Sequence, residues 1–186
     1  MTELSQLTST FLDFLSSQDK NWSLCTLSFM ACFLVFFALY IPLRHYRQQW
    51  TKVYVICFSL FFAFKANGAL MWLLPFTTFV SWYLTRSMMR LKHGKLRKTG
   101  LAITIFTELI PLLYYKYTNF TLEIFHELLR SNFSPMKLLL PVGISFFTFQ
   151  AISYTVDVYK GRYPKTAKLL DYTFYLTFFP LLIAGP

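Results

Sequence analysis

The sequence predicts an all-α, polytopic membrane protein with about six transmembrane helices and additional amphipathic helices at the interface. Composition is the first observation behind this. Of 186 residues, 55% are hydrophobic, 20% aromatic and only 14% charged, whereas a soluble domain carries about 25% charge. Roughly a third of the surface of a domain this size stays in water after folding, so 22 Phe and 12 Tyr cannot all be hidden. The second observation is a series of apolar stretches near the roughly 20 residues that cross a bilayer. The third is the placement of the basic residues, which cluster between those stretches.

Residues 1–20 carry Glu3, Asp13, Asp19 and Lys20 and read as an interfacial N-terminus. They lack the basic n-region and small-residue cleavage site of a secretory signal. Residues 21–43 form an uncharged first span, with Trp22 and Tyr40 near its ends as interfacial anchors. Residues 51–66 form a short second span whose flanking Lys52 and Lys65 are expected to snorkel. Asn67-Gly68 marks a tight turn. The third span, 67–86, contains Pro75, where a kink is expected. The fourth, 100–117, holds Glu108 and Pro111. A carboxylate at membrane depth is costly and is by default a site hypothesis; it also serves as a protonated or hydrogen-bonded tie between helices. Residues 120–133 alternate Leu122, Phe125, Leu128 and Leu129 with Glu123, Glu127 and Arg130, an amphipathic surface helix. The fifth and sixth spans are 138–157 and 169–184. No internal repeat or domain boundary interrupts the series, so the chain reads as a single membrane domain.

Net charge is +10. Three clusters hold most of the basic residues: Arg44, Arg47 and Lys52; Arg86, Arg90, Lys92, Lys95, Arg97 and Lys98; and Lys160, Arg162, Lys165 and Lys168. They fall after the first, third and fifth spans. The positive-inside rule then places the N-terminus outside and all three clusters in the cytoplasm. No basic folded surface is left over for nucleic acid. Cys25, Cys32 and Cys57 all lie in apolar stretches and read as small packing residues. No metal-ligand spacing is present.

Nucleophilic catalysis usually needs a base, most often His. His45 and His93 sit among basic residues and His126 on the predicted surface helix; none falls within a span. No catalytic residue is therefore assigned in this chain.

The most informative residues are Leu140-Pro141-Val142-Gly143-Ile144-Ser145-Phe146-Phe147-Thr148-Phe149-Gln150. A Pro-x-Gly opening a membrane helix frees backbone groups, tolerated only against protein or a water-filled cavity. Ser145, Thr148, Gln150, Ser153 and Tyr154 add polar groups, either as interhelical hydrogen bonds or as the wall of a polar tunnel. With Asp157-Val158-Tyr159-Lys160-Gly161 and Phe178-Phe179-Pro180-Leu181-Leu182-Ile183-Ala184-Gly185-Pro186, this pattern resembles the membrane-bound O-acyltransferase family. The nearer branch is that of the bacterial alginate O-acetyltransferases.

The resemblance implies a multi-pass enzyme of the bacterial inner membrane. It would take an acyl group from a cytoplasmic thioester, acetyl-CoA or an acyl carrier protein, with no bound cofactor. The acceptor would be a hydroxyl of an exported, alginate-like polysaccharide, reached with a periplasmic acyltransferase partner. The motif residues Pro141, Gly143, Ser145, Gln150, Tyr154, Asp157, Pro180, Gly185 and Pro186 would line or support the acyl route, with Glu108 as the intramembrane acid. The family's catalytic His lies beyond the Gly-Pro motif, so the chain reads as the N-terminal part of a longer protein, inactive alone. The residues themselves leave open a non-enzymatic transporter subunit or scaffold, which broken helices and Glu108 also suit.

Overall fold

A computed structural model describes residues 27–46, 48–91, 94–129, 141–163 and 166–184. Among these there are helices and turns but no strand, in agreement with the all-α prediction. The elements are α1 (Leu27–Tyr46), α2 (Gln48–Asn67), a 3-10 segment (Gly68–Trp72), α3 (Leu73–Arg90), α4 (Lys95–Leu129), α5 (Ile144–Tyr159), α6 (Leu169–Thr177) and α7 (Phe179–Ala184). Residues 1–20, the region 130–140, Lys92, His93, Lys165, Gly185 and Pro186 lie outside the described residues.

By length and composition, one stretch among the described residues suffices to cross a membrane. It is Gln48–Arg90, 43 residues long, whose most apolar 18 residues have mean hydropathy 1.6. A straight helix of that length would reach about 65 Å, twice a hydrocarbon core of about 30 Å. Gly68, at φ 60°, divides it into α2 and α3. The break therefore sits at Gly68–Trp72, while Pro75 falls in the first turn of α3, where its missing N–H is harmless. Other helices fall short of a full span for a local reason. α5 has 16 residues because Gly143 starts it late, and α6 has 9 because the chain breaks at Phe178. The longest helix is α4, with 35 residues. It runs unbroken from the predicted fourth span into the segment expected to lie on the surface.

Helices α1 to α6 alternate in direction along the chain, so that α2 runs parallel to α6 and α3 to α5, and cross-links close both ends. At one end the Val142 N–H donates to Asn67 Oδ1 at 2.7 Å. At the other, Arg97 donates to the Tyr159 carbonyl at 3.0 Å, and Lys52 pairs with Asp171 at 2.5 Å. These last contacts gather the flanks of all three basic segments at the same end of the bundle. α4 packs on α3 and α5, and α6 packs on both α2 and α3.

Two clusters form the interior. Ala63, Leu74, Leu112, Ile144, Phe147, Ala151, Tyr172 and Leu176 fill the centre. Phe29, Phe36, Val55, Phe62 and Phe179 form an aromatic cluster beside α1. Phe179 is its hub, edge-on to Phe36 at 6.0 Å and to Phe58 at 5.1 Å. Such pairs add about 0.5–1.5 kcal/mol beyond burial. Lys65 is 1% exposed, contrary to the snorkelling expected of it. Its ammonium lies 6.0 Å from the Phe61 ring centroid, because the adjoining helices cover the route to the interface. Leu34, Trp72, Phe76 and Phe106 are mostly exposed, an apolar outer surface suited to lipid.

Candidate functional site

The fourth span brings its acid to the place where four helices meet. Glu108 on α4 is 9% exposed. Ser81 on α3 donates its hydroxyl to Glu108 Oε1, and Thr155 on α5 donates to the same oxygen at 2.9 Å. Tyr172 OH on α6 lies 2.7 Å from Ser81 Oγ, and Thr85 Oγ1 lies 2.8 Å from Thr155 Oγ1. A hydroxyl has one proton to give. Since Ser81 and Thr155 spend theirs on Glu108, Tyr172 donates to Ser81 and Thr85 to Thr155. All four protons therefore point along the network towards Oε1.

The second carboxylate oxygen, Oε2, is buried and has no hydrogen-bond partner among the described residues; the same holds for Thr148 Oγ1. Glu108 and Thr148 both line a cavity of about 140 Å³, with Phe76, Ser81, Pro111 and Phe147 among its other walls. A buried acceptor left without a donor costs about 1–3 kcal/mol, so this cavity suits a group that brings a proton. Pro111 has no N–H, and frees the Thr107 carbonyl on the same helix.

Backbone breaks surround this network. Pro141, Val142 and Gly143 form a turn closed by Ile144 N–H to the Pro141 carbonyl at 3.2 Å. Gly143 sits at φ 82°, ψ −1°, the third position of a type II turn, which requires positive φ. The second break separates α6 from α7. Pro180 cannot donate to the Leu176 carbonyl, and the chain turns extended at Phe178. The Phe179 N–H goes to Ser59 Oγ at 3.3 Å. The Tyr175 carbonyl, which Phe179 would have served in an unbroken helix, accepts from Gln150 Nε2 at 3.0 Å. Gln150 thus repairs the break that Pro180 makes.

The remaining motif residues fall around this centre. Tyr154 OH accepts from the Ala167 N–H at 2.8 Å, while Trp82 Nε1 donates to the Ala167 carbonyl at 2.9 Å. Together they pin the entry to α6 by both backbone groups. The Tyr154 ring is 4.7 Å from that of Tyr172. Asp157 does not reach the cavity; it pairs with Arg162 at 2.6 Å where α5 ends. Pro141 is buried and Ser145 half-buried, and Ser145 makes no contact with the Glu108 network. His45 Nδ1 meets its own helix at the Ile41 carbonyl, 3.3 Å away.

Ser81, Thr85, Thr155 and Tyr172 were not singled out by the sequence. A signal existed on α3: Thr78, Ser81 and Thr85 recur three and four residues apart, and all are at most 2% exposed. Polar side chains on one face of an apolar helix mark the face that meets other helices. Among the described residues no group of His, Cys, Asp or Glu could hold a metal ion.

Comparison with known proteins finds relatives over parts of the chain. The chain is 42% identical over 90 residues to a probable alginate O-acetylase AlgI of Pseudomonas aeruginosa, covering 46% of this chain and 17% of that protein. It is 54% identical over 48 residues to the probable alginate O-acetylase AlgI of Pseudomonas fluorescens, covering 26% of this chain and 10% of that protein. A peptidoglycan O-acetyltransferase of Helicobacter pylori is 28% identical over 185 residues, covering 85% of this chain and 35% of that protein. The chain therefore spans only about a tenth to a third of the length of these relatives. No family model and no solved structure matches. These O-acetyltransferase relatives and the apolar outer surface imply a membrane location. The motif resemblance is borne out over part of the chain, in the alginate O-acetylase-like branch of the membrane-bound O-acyltransferases.

Proposed function

We propose that these residues build part of an O-acetyltransferase of the bacterial inner membrane, acting on an exported, alginate-like polysaccharide. The observation that carries this reading is the Glu108 network, which sits between two broken helices whose breaks are made and repaired by motif residues. Non-helical backbone at membrane depth needs protein or a water-filled cavity beside it. Here Phe147 and Leu176, each within about one turn of a break, line a cavity with an acceptor and a hydroxyl still open for bonding.

In the reaction an acceptor hydroxyl oxygen attacks the thioester carbonyl carbon. The C–O bond forms, the C–S bond breaks with its electron pair leaving on sulfur, and the hydroxyl proton ends on the thiolate. The described residues hold the walls of the route. Gly143 and Gln150 fix the two breaks, and Tyr154 with Trp82 fixes the start of α6. The proton-transferring base is not assigned to His45, His93 or His126, since none lies in a matching motif. In this reading the basic ends of the helices lie in the cytoplasm and the N-terminus outside, as the positive-inside rule suggests. Lys160, Arg162, Lys165 and Lys168 there suit the phosphates of coenzyme A or an acidic acyl carrier. The acceptor side faces outward, towards a periplasmic acyltransferase partner.

The test is acetyl-ester content of the surface polysaccharide in a strain lacking the gene, complemented by the intact gene or by Glu108→Ala. Loss of esters on deletion, restored by the intact gene and not by the variant, is the expected result. Unchanged ester content on deletion would overturn the assignment. Donor docking is tested by neutralising the four basic residues together in the full-length protein; unchanged affinity for carrier and coenzyme A refutes it.

A further inference from the structure

A second cavity, of about 500 Å³, lies apart from the Glu108 network, between α1, α2 and the α6–α7 break. Its walls are aromatic: Phe33, Phe36, Phe37, Tyr40, Phe174 and Phe178 among others. Its polar groups come from the start of α2 and the end of α1: Arg44, Gln48, Thr51 and Lys52. Lys52 is paired with Asp171. Arg44 is exposed and has no ion-pair partner among the described residues. The groove is thus apolar along most of its length and carries an uncompensated positive charge at one end.

We propose that this groove binds an anionic phospholipid, with one acyl chain along the aromatic wall and the phosphate at Arg44. Length supports this occupant. From Phe33 to Arg44 along α1 is 11 residues, about 16 Å of helix, close to half of a hydrocarbon core of about 30 Å. The apolar wall has the depth of one leaflet, and the cation stands at headgroup level. Charge complementarity argues against a neutral lipid, because basic pockets between membrane helices favour anionic headgroups. The acyl-transfer reading enters only in naming the cytoplasmic leaflet as the source.

The experiment uses the full-length protein in nanodiscs of phosphatidylcholine with and without phosphatidylglycerol, followed by native mass spectrometry of the lipid retained. Wild type should retain phosphatidylglycerol over phosphatidylcholine by about fivefold, the effect of one basic residue facing an anionic rather than a zwitterionic headgroup. Arg44→Gln, at an exposed position, should erase that preference while leaving the protein folded. Phe37→Trp, which adds bulk at the groove wall, should lower retention of both lipids. Equal retention of the two lipids by wild type, or no retained lipid at all, overturns the proposal. So does displacement of the lipid by coenzyme A, which would make the groove a donor site. Acetyl-ester content, read in parallel, separates failure of this proposal from failure of the acetyltransferase reading.

Discussion

Replacing Gln150 by Leu tests whether the motif residues serve a broken helix. Leu nearly matches Gln in volume but has no donor for the Tyr175 carbonyl, now held at 3.0 Å. Two magnitudes compete. Interhelical side-chain hydrogen bonds in membranes average only about 0.6 kcal/mol, because the unfolded chain in the bilayer finds other partners. A buried carbonyl left without a donor costs more, about 1–3 kcal/mol. The second applies here, since the Phe179 N–H that would serve this carbonyl in an intact helix is engaged with Ser59. Leu also removes Gln150 Oε1, itself buried without a partner among the described residues, so Q150L should destabilise the bundle by about 1 kcal/mol net, a factor of roughly 5 in the unfolding equilibrium. The control is Pro180→Ala, which restores an N–H and allows α6 to continue into α7. In that background Tyr175 regains its helical donor, and Q150L should cost less than about 0.5 kcal/mol. The assay is reversible unfolding of the full-length protein in bicelles, with all four members of the cycle. Equal costs of Q150L in both backgrounds would refute the repair of the α6–α7 break by Gln150.

Other outcomes follow from the same geometry. Gly143→Ala should destabilise by about 1–2 kcal/mol, because an L-residue at φ 82° is strained. Gly143→Asn should lose less, a ranking that thermal unfolding will check. Glu108→Ala removes the acceptor shared by Ser81 and Thr155 and should cost about 2–4 kcal/mol. Glu108→Gln keeps an acceptor there and should lose less than half as much; equal losses in chemical unfolding would count against the network. Asp157→Asn should change stability by under about 1 kcal/mol, since its partner Arg162 is 64% exposed. A larger loss of acetyl-ester content than of stability would give Asp157 a role in the reaction.

Much of the fold was legible because its signals are local. Gly143 and Pro180 dictate backbone geometry by themselves: α5 starts directly after Gly143, and Pro180 lies beside the break between α6 and α7. Glu108 was legible as an anomaly, a charge within an apolar stretch. Its partners were not, because Ser81, Thr85, Thr155 and Tyr172 are ordinary residues in a membrane helix. Their meeting depends on which faces of α3, α5 and α6 turn towards α4, and that is decided by packing across up to 91 residues of sequence. Lys65 went astray for the same reason. Its position near the end of an apolar run suggests an interfacial residue, but coverage by other helices buries it. The 3-10 segment at Gly68–Trp72 was visible only as a turn signal, and Pro75 drew the expected kink a few residues too late.

The residues that make the helix breaks and those that compensate them lie on different helices, and this binds the site into one unit. Asn67 beside the Gly68–Trp72 break accepts from Val142 in the Pro141–Gly143 turn. Gln150, two turns into the helix that Gly143 begins, holds the carbonyl that the Pro180 break releases. Ser59 on α2 takes the N–H freed on the other side of that break. α6, whose C-terminal end is the break, carries the Tyr172 hydroxyl that donates into the Glu108 network. A shift of any one break therefore disturbs the partners of the next, and the cavity beside Glu108 keeps its shape only while all of them hold. This explains why a short apolar stretch needs so specific a string as Pro141 to Gln150. Most of its apolar residues could be exchanged for others of similar size, whereas Gly143 and Gln150 answer to demands set by the turn and by another helix.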